Sequence, residues 1–511
     1  MDLEAEIKEA EELIAQAQML AEKFRRDPHR PAYHFMPPSA WMNDINGAIF
    51  WRGRYHIFYQ HNPQGGYWKW MQWGHASSVD LVHWVHHPIA LTPTLDGPDR
   101  EGCFSGGAFV SKEGVPTFIY YGVPDGECIA TSNDDLLIHW TKHPANPVIP
   151  QPGADGRDYG ECEIVYDPCA WLAGDTYYAL SNRIHPAGRG DGVYLFKSKD
   201  LISWDYAGLF YESDRRWTHP DEDCAVPDFF PIGDEHMLLF CSHLQATQYY
   251  LGRLENERFV PRIHGRMSWP GGQLGGPRTL LDPGGRRIFF DWIRELRGRD
   301  TERASGWSGV MTVPRILSVG PDGTLQIEPA PELQVLRMNP RAHRDLHLAA
   351  DARLPLTDVR GDCLELAIRM RPAGARQFGL KVRCAADGSE QTAIFFDGSC
   401  NKLKVDISTS TLDQSIRYPY YRNPKRLSRP PEAEPFVSAQ EAPLELAAGE
   451  ALNLRVFLDR SVLEVFANSR QCITQRIYPS GRDSLGVELF SIDGPGDVKS
   501  VEAWDMAPTH G

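Results

Sequence analysis

The sequence predicts an all-β protein: a five-bladed β-propeller followed by a C-terminal β-sandwich, with a short N-terminal helix in front. Three observations predict it. From about residue 33 to 330, short aromatic and β-branched runs such as AIFWRGRYHIFYQ, PTFIYYG, TYYALS and HMLLFCSH are separated by Gly, Pro, Asp and Asn, the pattern of many short antiparallel strands. The segments SSVDLVHWVHHP, SNDDLLIHWTKHP and SKDLISWDYAG form a weak internal repeat whose tryptophans, Trp84, Trp140 and Trp204, lie 56 and 64 residues apart. That spacing suits one four-stranded blade per repeat, with an Asp-Leu turn leading into a strand that carries the Trp between blades. Beyond the Pro-rich link IEPAPELQVLR, the runs LELAIRM, LNLRVFLD and SVLEVFAN place charges on one face and apolar residues on the other, as sandwich strands do.

In chain order, residues 1–30 are expected to be a helix, 31–330 the propeller and 338–511 the sandwich. A chain of 511 residues exceeds what one hydrophobic core serves, so separate cores are required. The opening MDLEAEIKEAEELIAQAQMLAEKF is rich in Glu and Ala and lacks the basic start and continuous apolar run of a signal peptide. Leu3, Ile7, Leu13 with Ile14, and Leu20 with Ala21 recur near helical spacing and predict one buried stripe. The polar, Pro-rich stretch near 413–445 is expected to be a long loop or insertion. Its Tyr418, Tyr420 and Tyr421 either touch a ligand or pack within that loop.

The formal charge of −15 opposes binding to nucleic acid or an anionic membrane surface and leaves a neutral partner compatible. Ten cysteines without CxxC pairs, and no HExxH or Cys/His cluster, suggest reduced, buried thiols and no metal. No segment reaches transmembrane length. The expectation is a soluble cytoplasmic protein.

Chemistry starts at WMNDINGA (41–48), just ahead of the strand AIFW, where Asp44 would stand near the axis on which innermost strands converge. Asn43, Asn46 and Trp41 beside it offer amide donors and an aromatic wall, which suits a nucleophilic carboxylate kept ionised. An ordinary Asx turn reads equally well from these residues alone.

YHFMPPSAWMNDINGA resembles the opening signature of glycoside hydrolase family 32, the invertases, inulinases and levanases. The resemblance continues in the family's order through FYQHNP (58–63), WGHASSVDLVHW (73–84) and CFSGG (103–107), and SVLEVFAN (461–468) is similar to its C-terminal sandwich. It implies Asp44 as nucleophile, and Asn43, Gln60, Trp68, Phe104 and Ser105 as contacts to a fructose ring. Taken singly, each of these contacts reads as a core or turn residue. The resemblance also implies that Asp167, in IVYDPCAW, binds fructose hydroxyls and steadies the transition state. The family has Arg-Asp-Pro there, whereas this chain has Tyr166, whose hydroxyl replaces one of the several hydrogen bonds an arginine supplies. Tyr166 is therefore a pocket residue that puts substrate preference in question.

The family's acid/base lies in a Glu-Cys-Pro-Asp motif, for which this chain reads DEDCAVPDFF (221–230). Glu222 is the candidate and Asp223 its reserve, and the extra residues require a bulge. Asp228 is expected at a strand end, Glu161 and Glu163 in structural roles, and Cys224 as a buried thiol. The implied reaction is fructosyl release with retention from sucrose or a related fructo-oligosaccharide. Asp44 attacks C2, and Glu222 protonates the leaving oxygen and then deprotonates water, with no metal or organic cofactor. The alternatives are a transfructosylase, an inulin- or levan-specific hydrolase, or a fructose-binding protein without catalysis.

Overall fold

The computed structural model describes residues 15–16, 18–186, 188–429, 431 and 435–509. Among the described residues, five antiparallel sheets of four or five strands follow one another along the first part of the chain, with a two-stranded pair, Trp292–Ile293 and Val310–Met311, inside the span of the fifth. The first runs Ala40–Trp51, Arg54–Asn62, Gln72–Ser78 and Trp84–Leu91 as a meander, with Trp307–Ser308 added parallel to its first strand. The others open with Gly102–Val110, Cys169–Ala173, Ala225–Ile232 and Arg278–Leu281.

These opening strands gather together. Ala40–Trp51 lies against both Gly102–Val110 and Arg278–Leu281, Gly102–Val110 against Cys169–Ala173, and Cys169–Ala173 against Ala225–Ile232. Between the fourth and fifth sheets, the backbone N–H and Oγ1 of Thr279 both donate to Asp228 Oδ2 at 2.8 Å. Arg278 ties the group from within: Nε donates to Gly106 O at 3.0 Å, Nη2 to Pro168 O at 3.3 Å and Nη1 to Pro227 O. One buried guanidinium thus satisfies carbonyls on two other sheets and on the residue just ahead of a third, a task that needs its fixed fork of donors.

The repeat has a local cause. Asp80, Asp134 and Asp200 accept backbone N–H groups of Val82, Leu136 and Ile202 at 3.0, 3.0 and 2.9 Å. Leu81, Leu137 and Leu201 are thereby held at φ of 65°, 55° and 69°, a conformation costly for a leucine. The indoles of Trp84, Trp140 and Trp204 donate to the carbonyls of those same leucines at 3.2, 2.8 and 2.9 Å.

The second part forms two six-stranded sheets, one containing Cys363–Arg371, Leu452–Asp459 and Val462–Ala467, the other Gln377–Cys384, Thr392–Asp397 and Gly486–Ile492. Leu366, Val456 and Leu463 of one share a core with Leu380, Ile394 and Leu489 of the other. The stretch near 413–445, expected to be irregular, contains the edge strand Ala439–Pro443. Its buried Gln440 and Ala442 alternate with more accessible neighbours, a period of two masked by the surrounding prolines.

The two parts share an apolar seam in which Phe457, Val462 and Phe466 join Phe289, Met311 and Leu325. A polar lock crosses it. His34 Nδ1 lies 2.9 Å from Asp459 Oδ2 and Nε2 lies 3.0 Å from Glu464 Oε1; Glu464 also accepts from Arg315. Burial alone would lower the His34 pKa, but the two carboxylates prevail and raise it to about 9.

Residues 18–26 are helical. Leu20 is partly buried and Phe24 packs on the seam's core, whereas Ala21 is exposed, so the apolar stripe there is narrower than expected. Leu3, Ile7, Leu13 and Ile14 lie outside the described residues. Among those described, no helix is long and apolar enough to cross a membrane.

Candidate active site

Where the opening strands meet, a cavity of about 240 Å³ is lined by residues of the first, second and fourth sheets, of the segment leading into the third, of the segment around Trp292, and of the C-terminal part. Asp44 stands inside the strand Ala40–Trp51, at an irregularity between Met42 and Ile45, so the strand starts earlier than the AIFW run suggests. The interrupted ladder turns Asp44 toward the cavity, as bulges do beside functional sites. Gly276, at φ of 89°, passes so close that a Cβ there would lie 2.5 Å from Asp44 Oδ1.

A directed chain of hydrogen bonds ends on this carboxylate. Trp41 Nε1 donates to Asn43 Oδ1 at 2.6 Å, Asn43 Nδ2 to Gln60 Oε1 at 3.1 Å, Gln60 Nε2 to Ser105 Oγ at 2.6 Å, and Ser105 Oγ to Asp44 Oδ2 at 2.6 Å. Each donor fixes the orientation of the next, so the amide orientations are set by the network and Asp44 remains an acceptor. The structure therefore joins Asn43, Gln60 and Ser105, all expected from the sequence. Trp68, 53 % exposed, stands edge-on to Phe104 at 5.7 Å; both line the cavity and offer it apolar surface.

Asp167 is buried at φ of 45° and its Oδ1 has no hydrogen-bond partner. Burial first, then the charge of Asp44, pushes its carboxyl well above the usual carboxylate range, with Arg278 opposing. Tyr166 lines the same wall and packs on Tyr121 at 4.6 Å. Burial and the adjacent Asp167 hold its phenol well above its ordinary value.

The third carboxylate departs from expectation. Glu222 is buried outside the cavity lining, because its Oε1 accepts the His219 N–H at 2.8 Å and its Oε2 accepts from Gln248. The bulge falls later, between Ala225 and Asp228, and brings Ala225 and Val226 to the cavity. Asp223 points the other way. Its Oδ1 accepts the His243 N–H at 2.8 Å and its Oδ2 lies 2.6 Å from His243 Nδ1, and His243 lines the cavity. Burial would raise the Asp223 pKa, but the His243 imidazole holds it below the ordinary value. Asp228 caps Thr279 from a neighbouring strand, while the partners of Glu161 and Glu163, Tyr194 and Arg189, lie away from the cavity lining.

Among the cavity residues to which the sequence assigns no role are Cys241, His243, Trp292 and Arg422. Arg422 comes from the C-terminal part, within the stretch YPYYRNP. Its N–H donates to Leu244 O at 2.9 Å, and its carbonyl accepts from Arg294 Nη1 at 3.3 Å. Its Nη1 approaches Cys241 Sγ at 3.3 Å, the guanidinium lies 5.4 Å from the Trp292 ring, and Nε is buried without a partner. Gly275 leaves the space that the guanidinium occupies. Tyr418, by contrast, is buried in the sandwich core and pairs with Ser410 at 3.2 Å. The available sign of Arg422 was a cation directly after the aromatic run YPYY. Among the described residues, no group of three or more His, Cys, Asp or Glu could hold a metal ion.

The chemistry offered is that of two unequal carboxylates, one presented as an acceptor and one deep and unpartnered, in a pocket the size of a sugar ring with apolar and hydrogen-bonding walls. Comparison with known proteins agrees with this. The model of the Glycosyl hydrolases family 32 N-terminal domain matches residues 34–329 and that of the family's C terminal matches 332–505. A sucrose-6-phosphate hydrolase of Zymomonas mobilis is 30 % identical over 93 % of this chain and 92 % of its own length. A levanase of Bacillus subtilis is 29 % identical over 94 % of this chain and 72 % of its own. The crystal structure of fructan 1-exohydrolase IIa from Cichorium intybus superposes with a TM-score of 0.80 at 24 % identity, covering 94 % of this chain and 98 % of that one.

Proposed function

The chain belongs to glycoside hydrolase family 32, and on that premise we propose that it releases β-D-fructosyl units from sucrose or related fructo-oligosaccharides with retention, through a covalent fructosyl-enzyme. The observation that carries the reading is the donor chain from Trp41 to Asp44, in a cavity that Asp44 shares with the unpartnered Asp167. Asp44 attacks C2 of the fructosyl unit, and Asp167 receives the vicinal ring hydroxyls. Asn43, Gln60 and Ser105 hold the nucleophile, while Trp68, Phe104 and Tyr166 shape the pocket. Protonation of the leaving oxygen falls to the wall that carries His243, with Glu222 and Asp223 in the segment behind it.

On this reading the five sheets are the blades of a five-bladed propeller over 31–330, and the paired sheets are a sandwich over 338–511, with a helix within 1–30. The enzyme works in the cytoplasm on a neutral sugar, a placement supported by ten cysteines that all stand unpaired and by the acidic charge that disfavours nucleic acid and membrane surfaces. The test is fructose release from sucrose, sucrose 6-phosphate, 1-kestose, inulin and levan by the wild type and by Asp44→Ala. Release that vanishes in the variant supports the reading and ranks the substrates. A wild type inert on all five overturns it.

A further inference from the structure

The geometry points to His243, oriented by Asp223, as the residue that delivers the proton to the leaving oxygen and later takes one from water; this rests on the glycosidase reading above. A poor leaving group such as a sugar alkoxide must be protonated as its bond breaks, so a group able to give up and regain a proton has to face the cavity. The protonatable side chains lining it, other than Arg422, are Asp44, Asp167, Tyr166, Cys241 and His243.

Asp44 is engaged as nucleophile and Asp167 with the ring hydroxyls. Tyr166 and Cys241 hold their protons too firmly to exchange them twice in each turnover, the first well above its ordinary value and the second pushed up to about 12, both chiefly by burial. Glu222 has both oxygens occupied behind the wall. His243 remains.

Its setting is that of a positioned acid. Asp223 accepts from both the backbone N–H and Nδ1 of the same residue, at 2.8 and 2.6 Å. This fixes the ring's rotation and places the proton of a neutral imidazole on Nδ1. Nε2 makes no hydrogen bond to any described residue, and the His243 side chain keeps 31 % of its surface accessible, against 2 % for Asp223.

In the first step the bond from C2 to the leaving oxygen breaks, the bond from C2 to Asp44 forms, and the proton on Nε2 of the imidazolium passes to the departing alcohol. In the second step neutral Nε2 takes a proton from water as the water oxygen attacks C2 and the Asp44 ester bond breaks. Asp223 stays a carboxylate throughout. It is a positioning residue, and His243 is the catalytic one.

The test compares two fructosides that differ in their need for a proton: sucrose, and a nitrophenyl β-D-fructofuranoside whose phenolate leaves unaided. For His243→Gln the expected result is a loss of about 10²- to 10⁴-fold in kcat/KM on sucrose, with a loss below about tenfold on the aryl fructoside. Added azide should then accelerate turnover of the aryl substrate by intercepting the fructosyl-enzyme. Asp223→Asn should show the same selectivity at smaller amplitude, which keeps the test alive if His243→Gln does not fold. Glu222→Gln should change both substrates by one common factor. Equal losses on both substrates in His243→Gln and Asp223→Asn overturn the assignment, as does a sucrose-selective loss confined to Glu222→Gln. A wild type inert on both fructosides overturns the glycosidase reading itself, an outcome distinct from either.

Discussion

Replacing His34 with glutamine tests the lock across the seam. Both ring nitrogens of His34 bond to buried carboxylates, Asp459 at 2.9 Å and Glu464 at 3.0 Å. Its pKa stands at about 9 in the folded protein against an ordinary 6.5, so the folded state binds the proton more tightly than the unfolded chain. That gap corresponds to about 3 kcal/mol, at 1.36 kcal/mol per pKa unit. Because the folded value is the higher one, the contribution is fully present below pH 6.5 and disappears as pH rises through about 9. Glutamine restores hydrogen-bonding capacity but no charge. Urea unfolding of wild type and His34→Gln should therefore differ by about 3 kcal/mol near pH 6 and converge near pH 9.5. Glu127 and Asp291, raised by burial to about 8 and about 7, also lose stability in this range, but equally in both proteins, so the difference isolates His34. A gap that stays constant from pH 6 to 9.5 would refute the reasoning.

Asp44→Ala should lower fructose release by on the order of 10³-fold or more, the scale of removing a covalent nucleophile, with little change in the unfolding transition, as measured by initial rates and a thermal melt. Arg422→Ala removes a charged donor worth about 2 kcal/mol and should reduce kcat/KM on sucrose by about 30-fold, with partial recovery when guanidinium ion is added to the assay. Arg278→Lys keeps the charge but cannot reach all three carbonyls. It should destabilise the protein by about 3 kcal/mol in chemical denaturation.

The members of the donor chain were marked by the resemblance as ring contacts, because they sit in short motifs that each fold locally; their linkage into a chain was not. Asn43 and Asp44 share one strand and Gln60 lies on the strand that the meander pairs with it, whereas Ser105 lies on the opening strand of the next sheet, which packs against it. The strand patterns also foretold the Asp-Leu-Trp turns, which close within a few residues. What escaped the sequence is set by distance or direction. Arg422 and Cys241 meet across 181 positions, and no periodicity encodes that. Glu222 and Asp223 are adjacent in a turn, where one step of the backbone sends one side chain inward and the other behind the wall. His243 closes the run HMLLFCSH and gives no local sign of its role, which depends on a partner 20 residues away.

The origin of Arg422 has a consequence for synthesis. The family's two sequence models divide the chain between residues 329 and 332, yet the cation in the cavity belongs to the later portion. When the first portion has left the ribosome, the nucleophile has been translated and the guanidinium has not. The complete cavity therefore needs the late portion docked, so a folding defect far along the chain would appear at the bench as a lowered kcat/KM.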